Sequence, residues 1–239
     1  MRLFSSFGCK ITVADLDVDR MNTLKQEPSL SGDNIIWIAC DVSVENDVKE
    51  AMDKTVQKWG TIHVALASAG IATPMMTLTS KSSLNTKAFR KLTDVNVMGS
   101  IYVAKYASAA MSKNQPLNER GEKGVIMFVS SVAAEEGQRS QVGYSASKGA
   151  MNGVVLPMAR DLGRYGIRAV TIAPGVFATP IGKKTTQNEA LIHALEKMSP
   201  MGRFGQPDEF ALFVKMIVEN GYLNGVRLRV DGATRIAHL

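Results

Sequence analysis

Tyr144 and Lys148 stand four residues apart at the start of a helical run, within "SSVAAEEGQRSQVGYSASK", residues 130 to 148. That spacing places both side chains on one helix face. An ammonium group beside a phenol favours the phenolate, which predicts a Tyr144 pKa drawn down from the reference value of about 10 towards working pH. Tyr144 then serves as a general acid/base. Ser131, at the end of the preceding strand, can meet the pair across the carboxyl edge of a sheet and hydrogen-bond a carbonyl or hydroxyl oxygen. Alone, a Tyr and Lys at this spacing are ordinarily a surface helix pair, so the case rests on the elements around them.

Those elements alternate. Apolar, β-branched runs predict strands at Lys10 to Ala14, Ile35 to Ala39, His63 to Ala67, Gly124 to Ser130, Arg168 to Ala173 and Val226 to Val230. Helical patterns lie between them, near 17 to 26, 44 to 59, 84 to 113, 143 to 164 and 207 to 219. The first two carry acids in their opening turns and end near Lys or Gly, as caps and the helix dipole favour. Strands that are apolar throughout are buried on both faces, which predicts an α/β fold: a doubly wound, mostly parallel sheet with helices on both faces. Residues 180 to 206, with the helical middle "NEALIHALEKM", follow a strand's carboxyl end and form the candidate substrate lid; a merely structural helical excursion accounts for the pattern equally well.

The chain of 239 residues, 45% apolar, is long enough for a sizeable core and is most economically one domain, 1–239. Its longest apolar runs are broken by charges before they reach membrane-spanning length, and the first 16 residues lack the continuous apolar segment of a secretory signal. The net charge of +6 comes from scattered cations, a solvated surface rather than a nucleic-acid site. Cys9 and Cys40 are too few for a disulfide scaffold and point to a reducing compartment. His63, His193 and His238 are too dispersed for a metal site, and no GxSxG elbow suggests a serine hydrolase.

"GCKITVADLD", residues 8 to 17, ends a short strand on two acids. A carboxylate there accepts hydrogen bonds from adenosine ribose hydroxyls and repels a 2′-phosphate, so Asp15 favours NAD over NADP. The same acids also make a reasonable helix start, and both readings hold together with Asp15 for the ribose and Asp17 for the cap.

Ser131, then Tyr144 thirteen residues later, then Lys148 four after that resembles the active-site pattern of the short-chain dehydrogenase/reductase family. In "DVNVMGS", Asn96 matches the family's fourth catalytic residue; "IAPGVFATP", residues 172 to 180, resembles its segment around the nicotinamide, with Pro174-Gly175 and Thr179 in place. Asp41 and Val42 of "CDVS" correspond to its adenine contacts, and "ASAG", ending at Gly70, to its cofactor-side "NNAG" segment. "SPMGRFGQPDEF" and "LNGVRLRVDGA" resemble its C-terminal signatures. Within the family, "SVAAEEGQ", "NQPLNERGEKGVI" and "ENGYLNGVRLRVDGATR" look most like the type 2 3-hydroxyacyl-CoA dehydrogenases, also known as 17β-hydroxysteroid dehydrogenase type 10.

The resemblance implies a Rossmann-like enzyme transferring a hydride between NAD and a 3-hydroxyacyl-CoA or a related secondary alcohol such as a hydroxysteroid. It implies that Tyr144 exchanges the hydroxyl proton, Ser131 holds the oxygen, Lys148 binds the ribose, and Asn96 holds a water that completes a proton path. It also implies Gln138 as a substrate contact beside Ser131, Ser68 and Phe177 as cofactor contacts, an intracellular and mitochondrial location, and a homotetramer through the helices at 84 to 113 and 143 to 164.

Two departures are visible. The family's "TGxxxGxG" loop is absent together with the strand before it, and "MRLFSSF" resembles the tail of the helix that follows that loop. The missing strand is central, so its absence leaves two ladders unpaired and removes the backbone cradle for the pyrophosphate. Ala67 also replaces an Asn that tethers neighbouring strands. The alternative is a truncated, non-catalytic relative acting as a binding or oligomerisation module.

Overall fold

The computed structural model describes residues 1–179 and 189–235. A short helix α1 (Arg2–Ser6) leads into β1 (Ile11–Asp15), α2 (Val18–Lys25), β2 (Ile35–Ala39), α3 (Glu45–Trp59) and β3 (Val64–Ala67). Helix α4 (Thr86–Thr93) passes through a π turn (Asp94–Met98) into α5 (Gly99–Met111), followed by β4 (Gly124–Val129). A 3-10 turn (Val132–Ala134), α6 (Val142–Gly163), β5 (Ile167–Pro174), α7 (Glu189–Lys197), α8 (Pro207–Glu219) and β6 (Val226–Val230) complete the order.

Local chemistry sets these boundaries. Asp17 caps α2 by accepting the Arg20 N–H at 2.9 Å, as the helix-start reading expected. Helix α3 carries Glu45 and Asp47 in its first turn and stops at Gly60, whose φ of 81° lies in the left-handed region that an L side chain resists. Helix α8 opens with Pro207 and a capping box between Gln206 and Glu209.

Every strand pairing is parallel, in the order β1-β2 in one sheet and β3-β4-β5-β6 in another. Among the described residues β1 and β3 do not pair, so two parallel edges are left open, as the missing central strand predicts. Along β4 the pleat alternates: Ile126 and Phe128 join Ala104, Ala107, Met111 and Met151 of α5 and α6, whereas Val125 and Met127 join Val214 and Ile217 of α8. Helix α3 and α5 also cover the smaller sheet, through Ile38, Cys40, Val48 and Ala51 packed with Tyr102 and Val103. A bond of 2.9 Å between Thr55 Oγ1 and Thr12 Oγ1 ties α3 to β1. One helical layer therefore backs both sheets. On β3, Ala65 and Ala67 are buried against it, while Val64 and Leu66 point the other way and remain 39% and 36% exposed.

Among the described residues, no helix is long and apolar enough to cross a membrane, and no group of His, Cys, Asp and Glu could hold a metal ion. Cys9 and Cys40 are free; burial, with nearby Asp47, Asp41 and Asp15, pushes the Cys40 thiol up to about 11.

Candidate active site

Parallel strands deliver the loops at their carboxyl ends to one edge. Asp15 closes β1, Asp41 and Val42 follow β2, Ser68 and Gly70 follow β3, Ser131 follows β4, and Phe177 and Thr179 follow β5. Tyr144 and Lys148 enter on the first turns of α6, and Asn96 from the π turn.

At the centre, the Ser131 hydroxyl lies near enough to Tyr144 to favour its phenolate, and its Oγ accepts the Ala133 N–H at 3.1 Å. Lys148 is buried; its Nζ donates to the Val129 carbonyl at 2.8 Å and lies 5.7 Å from the centre of the Tyr144 ring. Ser130 Oγ donates to the Lys148 carbonyl at 2.8 Å, so β4 and α6 are pinned together where both supply candidate residues. Asn96 is buried and fully engaged: Oδ1 accepts the Ile71 N–H at 2.8 Å, and Nδ2 donates to the Ile71 carbonyl at 2.9 Å and to Ser147 Oγ at 3.0 Å. A π turn widens the helix by one residue and re-aims its side chain. Here it lets Asn96 reach both the β3 loop and α6.

The electrostatics correct one expectation. Burial pushes the Tyr144 phenol above its ordinary value, and the Ser131 hydroxyl, which stabilises the phenolate, only partly offsets this. Lys148 does not draw it down, because its ammonium is directed to the Val129 carbonyl. Burial lowers Lys148 itself to about 8. Asn96 gives its side-chain amide to Ile71 and Ser147, which ties the loop after β3 to α6.

The remaining expected contacts line the same edge. A Cβ at Gly70 would come 3.2 Å from Asn96 Oδ1 and 3.3 Å from Lys148 Nζ, so the bare glycine backbone lies close against both. A Cβ at Gly99 would fall 2.8 Å from Val42 Cγ2, which brings the end of β2 up against the Asn96 turn. Asp15 is exposed, with Oδ1 accepting the Asp17 N–H at 3.0 Å and Oδ2 left for a further donor, whereas Asp41 Oδ1 takes both the N–H and the hydroxyl of Ser43. The backbone N–H of Gln138 donates to Gln141 Oε1 at 2.9 Å, on the loop between Ser131 and Tyr144. Phe177 meets Phe210 of α8 edge-on at 5.6 Å, and the Ala178 N–H donates to the Gly205 carbonyl at 2.8 Å. Of the candidate lid, 180–188 lies outside the described residues; the rest contains α7.

These residues suit a dinucleotide at its two ends, a ribose at Asp15 and a second ribose beside Gly70 and Lys148. They do not suit its phosphates: among the described residues the edge offers no glycine-rich turn, and α1 is only five residues long. Sequence reasoning missed Ser147 and Ser130, which position Asn96 and Lys148. Ser147 stands three residues after Tyr144 on the same helix face, and that spacing was the available signal.

A protein-family model described as "Enoyl-(Acyl carrier protein) reductase" matches residues 1–233. The chain is 40% identical over 232 residues to the 3-hydroxyacyl-CoA dehydrogenase type-2 of Rattus norvegicus, covering 96% of this chain and 87% of that protein. It is 41% identical over 208 residues to the protein of that name from Homo sapiens, covering 86% of this chain and 78% of the other. The crystal structure of 3-hydroxyacyl-CoA dehydrogenase type-2 from Mycobacterium avium superposes with a TM-score of 0.88 at 31% identity, covering 99% of this chain and 90% of that one.

Proposed function

The chain belongs to the short-chain dehydrogenase/reductase family of oxidoreductases, and from that premise we propose that it interconverts a 3-hydroxyacyl-CoA and its 3-oxo form with NAD as cofactor. The observation that carries the reading is the convergence of Ser131, Tyr144 and Lys148 at the carboxyl edge, with Ser131 near enough to the phenol to favour its anion. The names of the relatives support the substrate class, and the exposed Asp15 carboxylate supports NAD over NADP. A bound nicotinamide supplies or accepts the hydride.

The chain's own residues handle the oxygen and its proton. Ser131 holds the substrate oxygen, and Tyr144 donates its hydroxyl proton to that oxygen when a 3-oxo group is reduced. In the other direction the Tyr144 phenolate takes the proton from the 3-hydroxyl, with Ser131 stabilising the anion. A phenol held above its ordinary pKa is protonated near neutrality, so the site is poised as an acid and its action as a base grows with pH. Gln138 is assigned to the substrate. Asp15, Asp41, Val42, Ser68, Gly70, Phe177 and Thr179, with Tyr144 and Lys148, are assigned to the cofactor. A mitochondrial location and a homo-oligomer rest on the subgroup resemblance; Leu156 of α6 is an exposed apolar side chain that self-association would cover.

The open edges of β1 and β3 favour a second reading, a binding or oligomerisation module with weak cofactor affinity. Acetoacetyl-CoA reduction by NADH separates the two. For the enzyme, Tyr144→Phe lowers turnover about a hundred- to ten-thousandfold, with NADH binding changed by no more than about twofold. Undiminished turnover rules Tyr144 out as the acid.

A further inference from the structure

Arg229, near the end of β6, is remote in sequence from Ser131 and Tyr144, yet it joins two walls of their site. Its Nη1 donates to Glu136 Oε1 at 2.6 Å. On its other side, Nε and Nη2 reach Asp231 Oδ2 at 2.8 and 2.6 Å, and Nη2 also donates to the Thr234 carbonyl at 3.1 Å. The ion-paired side chains are 22% exposed for Arg229, 21% for Glu136 and 10% for Asp231, so they are screened less than surface pairs. Neighbouring Arg227 pairs with Glu135.

Each partner leads to a wall. Glu136 lies between Ser131 and Gln138, in a turn closed by its own N–H donating to the Val132 carbonyl at 3.0 Å. The Gln141 N–H donates to the Gln138 carbonyl at 3.1 Å, and the Ser145 N–H to the Gln141 carbonyl at 2.7 Å, which continues the connection into α6 beside Tyr144. Asp231 backs the other wall: the Gly175 N–H donates to the Val230 carbonyl at 3.0 Å, and a Cβ at Gly175 would come 2.9 Å from Asp231 Cα. The Pro174-Gly175 turn that leads to Phe177 thus rests on the residue Arg229 holds.

We infer that Arg229 is a positioning residue: through Glu136 and Asp231 it clamps the loop carrying Ser131 and Gln138 against the Gly175 turn. This rests on the hydride-transfer reading of the same site. A planar guanidinium can engage two carboxylates and a carbonyl at once, whereas an ammonium is a single point charge, so Lys at this position restores the clamp only in part.

The test uses the full 239-residue chain with Arg229→Met, Arg229→Lys and Glu136→Gln, the last keeping the Arg229–Asp231 pair intact. The readouts are kcat for acetoacetyl-CoA reduction, NADH affinity, the pH profile of 3-hydroxybutyryl-CoA oxidation, and amide exchange over 131–141 and 174–176. In Arg229→Met and Glu136→Gln, kcat falls about tenfold from misplacement of reacting groups while NADH affinity stays within about twofold. Arg229→Lys falls between these and the unsubstituted chain. With Ser131 loosened, the Tyr144 phenolate loses a donor, so the acid limb of the oxidation profile moves to higher pH. Amide exchange over 131–141 quickens. Unchanged kcat, pH profile and exchange in Glu136→Gln overturn the inference. If the unsubstituted chain turns over neither substrate, the hydride-transfer reading fails and exchange alone decides: quickened exchange over 131–141 in Glu136→Gln sustains the clamp, and unchanged exchange overturns it.

Discussion

Replacing Lys148 by Met makes the cost of burying a cation measurable. Lys148 is 6% exposed, and burial lowers its pKa from 10.5 to about 8. A gap of about 2.5 units corresponds to about 3 kcal/mol of penalty on the charged form at neutral pH. Between pH 8 and 10.5 the native chain binds fewer protons at this site than the unfolded chain, so stability rises with pH across that window. Lys148→Met removes the titration. Unfolding both proteins in urea at pH 7 and pH 9, the stability of the unsubstituted chain relative to Lys148→Met should increase by about 1 kcal/mol from the lower to the higher pH. The lost bond to the Val129 carbonyl shifts the absolute difference but not its slope, since a neutral amine still donates. Cys40 titrates identically in both proteins and cancels; Tyr144, raised by burial, stays protonated over this range. A difference that is flat or falls as pH rises refutes the idea that Lys148 is held charged against desolvation.

The cofactor end of the site gives two further expectations. Asp15→Ser, which can still accept the Asp17 N–H, should shift the ratio of NADPH to NADH affinity towards NADPH by about tenfold, read by fluorescence titration; an unchanged ratio removes Asp15 from cofactor choice. Extending the chain at Met1 by an apolar strand and a glycine-rich turn should tighten NADH binding at least about tenfold by supplying backbone donors for the phosphates. Equal affinities would show that the open edges of β1 and β3 do not matter for the cofactor.

Where apolar runs are bounded by strong local signals, the sequence was readable to the residue. Strands Ile35–Ala39 and Val226–Val230 and helix Pro207–Glu219 stand where their patterns placed them. The helix expected near 84 to 113 runs from Thr86 to Met111 but carries a π turn at Asp94–Met98, where the Asn96 amide meets Ile71 and Ser147, partners 25 and 51 residues away. No local propensity encodes such contacts. The direction of the Tyr144 shift failed for a related reason. Spacing shows that a lysine lies near, but not how dry the site is or that a carbonyl from β4 takes the lysine's proton donor. Ser131, Tyr144 and Lys148 were legible because their spacing survives the linear order; Glu136 and Arg229, 93 residues apart, were not.

The division of the sheet assigns different burdens to its two parts. Asn96, Ser131, Tyr144 and Lys148 all lie on α6, the π turn and the loop after β4, packed on the sheet β3-β4-β5-β6. Asp15, Asp41 and Val42 end the separate pair β1-β2. What joins the parts is the α3–α5 layer, the Thr12–Thr55 bond and the close approach of Val42 to Gly99. The contacts that place Tyr144 and Lys148 lie within the larger part, so their geometry is kept even where β1 and β3 do not pair. Binding of an extended dinucleotide needs both parts at a fixed separation and pays for any freedom between them. On the proposed reading, the open edge should weigh on cofactor affinity far more than on acid/base chemistry, which measuring NADH binding and turnover at saturating cofactor on the same protein would separate.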